Sequence, residues 1–176
     1  MIDKRMSDLN PYQELLSDPD PARSLAAMEI MLESGDENLK RMALEYGLLS
    51  PISTVKRIAF ETFLKTKPIF SIRFDGANIE SAQYVTRMRD WNGTLDADGI
   101  GYWRIPVGEY HEKNRCFGEA SYRPNDCFVT VNSDGIFLTP YGMNARATIS
   151  DTGSVTGVAS LNNVTEPVAF TIRIID

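Results

Sequence analysis

The residues best suited to chemistry crowd into one stretch of the chain. His111, the single histidine, stands in Glu109-Tyr110-His111-Glu112-Lys113, and Cys116 and Cys127 follow it. A zinc site draws N and S ligands in close-set pairs, and His111, Glu112, Cys116 and Cys127 match no common zinc spacing. A nucleophilic thiol needs a base and an orienting third group; Cys116 with His111 has no third group and nothing nearby to lower a thiol pKa. Residues 117–126, between the cysteines, read as strand, turn, strand, so a hairpin could bring the two sulfurs face to face. For an intracellular chain the expectation is two reduced thiols.

Two glycine-bearing segments fall short of ligand loops, and the first is better explained as a turn between strands. Asp96-Ala97-Asp98-Gly99 has part of a calcium loop. With Gly99 in the sixth position, the first and twelfth fall on Thr94 and Ile105, so the leading acidic ligand and the bidentate glutamate are missing. Gly99-Ile100-Gly101 has no lysine after it and no strand-to-helix switch, as a phosphate loop requires. Asn92-Gly93-Thr94 and Asn163-Val164-Thr165 fit the glycosylation pattern but lack a secretion signal to give it meaning. These readings lead to no catalytic residue, no metal and no cofactor, and the chain is expected not to be an enzyme.

Binding chemistry has more to work with. Tyr84, Trp91, Tyr102, Trp103, Tyr110, Phe117, Tyr122 and Tyr141 are concentrated in the middle of the second half. At least half of them are expected to fill a core. Tyr102, Trp103, Tyr110 and Tyr122, with Arg104 and Arg123, are the set that would line a mouth for a peptide, glycan or small ligand.

The elements that must position these residues change rhythm near Lys67. Before it, apolar residues recur at three-to-four spacing and helix punctuation is dense. Asn10-Pro11 opens a short helix, Asp20-Pro21 a second, Asp36 a third after Gly35, and Ser50-Pro51 a fourth that ends before Pro68. After it, Phe70, Ile72 and Phe74 alternate with Ser71, Arg73 and Asp75, a period of two. Strands are expected over residues 100–107, 128–131, 136–139, 145–150, 154–161 and 168–175, with tight turns between them. Residues 79–90 are ambiguous between strand and helix. Phe70-Ser71-Ile72-Arg73-Phe74 and Phe170-Thr171-Ile172-Arg173-Ile174 are near copies, and their pairing would close the sheet and remove an edge.

Within the helical half a short motif recurs: Ala22-Arg23-Ser24-Leu25-Ala26-Ala27, Leu39-Lys40-Arg41-Met42-Ala43-Leu44 and Val55-Lys56-Arg57-Ile58-Ala59-Phe60. The first, fourth and fifth residues of a copy share one helical face, and its alanine allows a neighbouring helix close approach. Over residues 18–66 this resembles the helices of HEAT-type repeats. The resemblance implies a scaffold or docking surface.

The expected fold is therefore α+β: a HEAT-like helical bundle over residues 1–67, then an antiparallel β-sandwich or small β-barrel over 68–176. With a formal charge of −6 the chain has no electrostatic reason to seek nucleic acid or an anionic membrane surface. It has no run of ~18 apolar residues, and its first residues lack the apolar core of a signal peptide, so the expected location is cytoplasmic. The function expected first is a protein-binding adaptor that docks a partner on a face carrying Arg23, Lys40, Arg41, Lys56 and Arg57. The alternatives are a small-ligand or glycan carrier using the interior or aromatic mouth of the β-domain, and a phage or assembly component.

Overall fold

The computed structural model describes residues 11–175; Asn10, expected to open the first helix, lies outside the described residues. The chain divides into two compact units. One holds the helices up to Thr66 with Asp151–Gly153 and Ile175; the other holds Lys67–Ser150 and Ser154–Ile174.

In the first unit the chain is helical over residues 11–16 (α1), Pro21–Glu33 (α2), Glu37–Leu48 (α3) and Ser53–Leu64 (α4). The Asp20 carboxylate accepts a hydrogen bond from the Ala22 N–H, and Asp36 accepts from Asn38 and Leu39, satisfying orphan donors at the two helix starts. Gly35, at φ +78°, makes the left-handed turn between α2 and α3. Met28, Met31 and Leu32 of α2 are buried with Ala43, Leu44 and Leu48 of α3 and Ala59, Phe60 and Leu64 of α4, where the three helices meet. Ala59 meets Gly47 of α3 so closely that a Cβ there would collide with it.

The HEAT-like reading is not upheld. Ala43 and Ala59 are buried, but the corresponding Ala26 is exposed, and α2 buries Ser24, Ala27 and Met28 instead. The α2 copy is thus out of register with the others. Moreover α2 packs on α4 as well as on α3, so the helices close into a bundle. In a repeat array each unit touches only its neighbours. The shared motif is what any amphipathic helix with a small residue on its buried face looks like.

The second unit is a closed antiparallel barrel of eight strands. Its strands are β1 (Ile69–Asp75), β3 (Ile100–His111), β4 (Cys116–Glu119), β5 (Cys127–Asn132), β6 (Gly135–Leu138), β7 (Met143–Ile149), β8 (Val155–Leu161) and β9 (Val168–Ile172). A two-residue strand, β2 (Thr94–Leu95), lies outside the ring along β3. Of the two β architectures expected, the barrel is the one formed. Closure comes through β1, which pairs with β9 on one side (Ile72↔Ile172, Phe74↔Phe170) and with β3 on the other (Ile72↔Trp103). The twin strands do lie side by side, so that neither β1 nor β9 keeps a free edge. Phe70, Ile72, Phe74, Ile105 and Phe128 point inward at under 2% exposure, so side chains fill the bore, as an eight-strand diameter allows.

The ambiguous stretch forms a helix, α5 (Ala82–Asp90), capped by Ser81. Tyr84, Arg87 and Met88 make its buried face, and Trp91 extends that face. The β-favouring Tyr-Val-Thr run is overridden because Tyr84, Met88 and Trp91 bury together only at helical spacing.

Candidate functional site, a cleft where two strands part

The upper half of β3 does not pair with β4. It pairs with β1 on one side and with β2 on the other, through Thr94↔Tyr102 and Leu95↔Gly101. Pairing with β4 begins only at Val107↔Glu119, and the register shifts between Val107 and Tyr110. Gly108 permits this: a Cβ there would sit 3.0 Å from the Ala120 backbone nitrogen. β3, expected to end near Gly108, instead continues through the bulge to His111. Above the bulge the two strands diverge and leave a cleft of about 710 Å³ in the barrel wall.

Two tryptophans stand at this cleft. Trp91 and Trp103 stack with centroids 4.0 Å apart and planes 5° from parallel, and Phe74 backs Trp91 at 5.8 Å. The Trp91 Nε1–H donates to the Tyr141 carbonyl at 2.8 Å, tying α5 to the β6–β7 loop. Arg87 donates to the Asn162 carbonyl at 3.1 Å, lies over the Trp91 ring, and pairs with Asp90 at 3.7 Å. The Tyr84 hydroxyl donates to the Gly99 carbonyl at 2.9 Å, and burial pushes its pKa up to about 12.

The opposite wall is the β4–β5 hairpin. Cys116 and Cys127 are joined there by a disulfide, with Cα atoms 5.5 Å apart. The expectation of reduced thiols is corrected: β4 and β5 are adjacent strands, which brings the Cα atoms within bridging distance. The bond also withdraws both sulfurs from metal ligation and nucleophilic chemistry. His111 Nε2 lies 2.6 Å from the Pro124 carbonyl, a contact that uses the imidazole N–H as donor and ties the hairpin to β3. Tyr122 and Tyr141 meet edge to face at 5.6 Å, with the Arg123 guanidinium 4.5 Å from the Tyr141 ring centre.

Glu119 is the buried acid of this wall. It is 7% exposed, and the Ser121 hydroxyl donates to its Oε1 at 3.2 Å. Desolvation pushes its pKa above the usual carboxylate value, against the Ser121 and Tyr122 hydrogen bonds that favour the charged form. A carboxyl so held is placed to exchange hydrogen bonds with ligand hydroxyls.

Of the six residues expected to line a mouth, Tyr102, Trp103, Arg104 and Tyr122 come together in the cleft. Arg123 lines an adjoining hollow with Tyr122 and Tyr141. Tyr110 lies beyond the bulge, tilted against Phe117 at 5.0 Å, and does not join them. Trp91, Glu119 and Tyr141 were not in the expected set. Trp91 was findable, because Tyr84, Met88 and Trp91 repeat at i, i+4, i+7. Glu119 gave no local signal.

The five basic helical residues each have a local partner. Arg23 lies near Asp18 and Asp20, Arg41 pairs with Glu45 at 3.3 Å and Arg57 with Glu61 at 3.7 Å. Lys56 lies 3.9 Å from Asp151 with its side chain 15% exposed, and the Lys40 ammonium sits over the Phe63 ring. Among the described residues no helix is long and apolar enough to cross a membrane, and no group of three metal-binding side chains occurs. No protein-family model matches the chain, HEAT-type repeats included, and neither does any curated protein or solved structure.

Proposed function

We propose that the protein is a non-enzymatic binding protein that holds a small ring-bearing ligand, of the glycan class, in the cleft between β3 and β4. The carrying observation is the convergence of Trp91, Trp103, Tyr102, Tyr122 and Tyr141 with buried Glu119 around one 710 Å³ space. That volume suits a small ligand, and a few polar groups set among aromatic walls are what orient one. Sugar rings present C–H faces to aromatic rings and hydroxyls to acceptors such as Glu119. Tyr102, Tyr122 and Tyr141 are 40%, 51% and 44% exposed, a cluster of apolar area that a ligand would cover.

This reading moves the binding surface from the helical face to the barrel. On the helical face Arg41 and Arg57 already have Glu45 and Glu61 beside them, whereas the cleft offers a concave, aromatic-lined space. The packed bore likewise favours the aromatic cleft over an interior carrier. The disulfide favours an oxidising compartment over the cytoplasm.

The test is an affinity screen of the full chain against neutral and acidic oligosaccharides, repeated with Tyr122→Ala. The reading expects at least one saturable ligand, bound roughly fivefold or more weakly by the variant, since such stacking contributes ~1 kcal/mol or more. A panel with no saturable binder, or one that Tyr122→Ala holds equally well, would reject it.

A further inference from the structure

Beside the cleft, on the outer wall of the barrel, three arginines face solvent around one serine. Ser71 of β1 stands opposite Arg104 of β3, and Arg73 stands between Tyr102 of β3 and Thr171 of β9. Arg173, one residue past β9, shares with Ser71, Arg73, Tyr102 and Thr171 a hollow of about 300 Å³. Ser71 and Tyr102 line both this hollow and the cleft, so the two spaces adjoin, and Arg104 lines the cleft side.

Charge makes this wall unusual. The chain has 24 acidic residues against 18 lysines and arginines. Arg23, Arg41, Arg57, Arg87 and Arg123 each have a carboxylate within 4.0 Å. Among the described residues no ion pair involves Arg73, Arg104 or Arg173, nor Arg89, Arg115 or Arg146; the first three are the ones that adjacent strands bring together. No two of the three are directly opposite: Arg104 faces Ser71 and Arg73 faces Tyr102 and Thr171, so the guanidinium groups are diagonal neighbours with hydroxyl-bearing side chains between them. Guanidinium forks match the oxygens of tetrahedral oxyanions, and the hydroxyls of Ser71, Tyr102 and Thr171 add further donors.

The geometry points to an anion subsite: Arg73, Arg104 and Arg173, with Ser71, Tyr102 and Thr171, hold a phosphate or sulfate ester carried by the ligand whose ring occupies the cleft. The link to that ligand rests on the cleft reading; the anion site itself does not. The short, polar Ser71 leaves space for the oxyanion between the guanidinium groups. Tyr102 stands at the shared boundary, where ring and ester would join.

The experiment titrates the ¹⁵N-labelled full chain with sodium phosphate and then sodium sulfate at ionic strength held constant with chloride. The amides of Ser71, Arg73 and Thr171 are expected to shift saturably. Arg73→Gln with Arg173→Gln should weaken binding roughly tenfold or more, while Arg89→Gln, an exposed arginine of α5, should change nothing. These side chains are exposed, so the variant spectrum should otherwise match the native one. If the double variant fails to fold, the location of the shifts in the native chain decides. No saturable shift, shifts away from these residues, or equal binding by a folded double variant would overturn the subsite. Sugars that bind the cleft with no response to phosphate or sulfate reject the subsite and keep the cleft. Phosphate or sulfate binding with no sugar at the tryptophans does the reverse.

Discussion

Trp91, just past the end of α5, and Trp103, in the middle of β3, stack face to face with centroids 4.0 Å apart. This contact fixes a helix against the barrel at the place where the wall is open. It also makes the chain's only two tryptophans reporters of a single site.

Replacing Trp91 should therefore loosen the cleft as well as the fold. Trp91→Ala removes the stack on Trp103, the backing on Phe74 and the donor to the Tyr141 carbonyl. The expected loss is ~3–5 kcal/mol, read from urea unfolding. A loss under ~1 kcal/mol would show that α5 is not anchored by this residue.

The disulfide should stabilise the wall opposite. Cys116 and Cys127, 11 residues apart, close the loop that carries Glu119, Ser121 and Tyr122. Loop-closure entropy for such a span gives roughly 2–3 kcal/mol. Replacing both cysteines by alanine should lower Tm by roughly 10 °C and weaken ligand binding. Calorimetry of the double variant checks the first, and retention of full affinity would contradict the second.

Glu119 predicts a pH dependence with a definite sign. Its native pKa lies above the ordinary 4.5, so the folded chain keeps this proton to higher pH than the unfolded chain does. Stability from this group is full below 4.5 and falls as pH rises through the window between 4.5 and the raised native value. Glu119→Gln should abolish that fall and be the more stable form above the window, measured as urea midpoints across it. A variant that parallels the native curve would contradict the assignment.

Tyr84 gives the same sign at the alkaline end. Its native pKa is raised from 10.0 to about 12, so stability from this group is lost as pH rises through that interval. Tyr84→Phe should remove this alkaline loss while costing about 1 kcal/mol at neutral pH for the hydrogen bond to the Gly99 carbonyl. Thermal unfolding on either side of pH 10 distinguishes the two effects.

The legibility of the fold in the sequence depended on the range of the interactions. Period-two runs such as Phe70-Ile72-Phe74 located strands, because each inward residue is fixed by its own neighbours. Asp20 and Asp36 located helix starts through hydrogen bonds only two or three residues long. The matching of β1 with β9 was visible as a copied phrase. The cleft was not, because it arises from β3 leaving β4 past the Val107↔Glu119 pair and from α5 lying near it, neither of which is a local pattern. Glu119 looks like any strand acid until it proves to be the residue of β4 paired with β3 just before the two strands part. The HEAT resemblance misled for the converse reason: a local pattern shared by three helices says nothing of how they stack.

The most direct measurement uses the two indole N–H signals. In ¹H–¹⁵N spectra of the labelled chain, titration with the oligosaccharide panel should shift the Trp103 signal saturably and the hydrogen-bonded Trp91 signal with it, at concentrations that match the measured affinity. A ligand that binds the chain while leaving both indole signals in place would contradict the account.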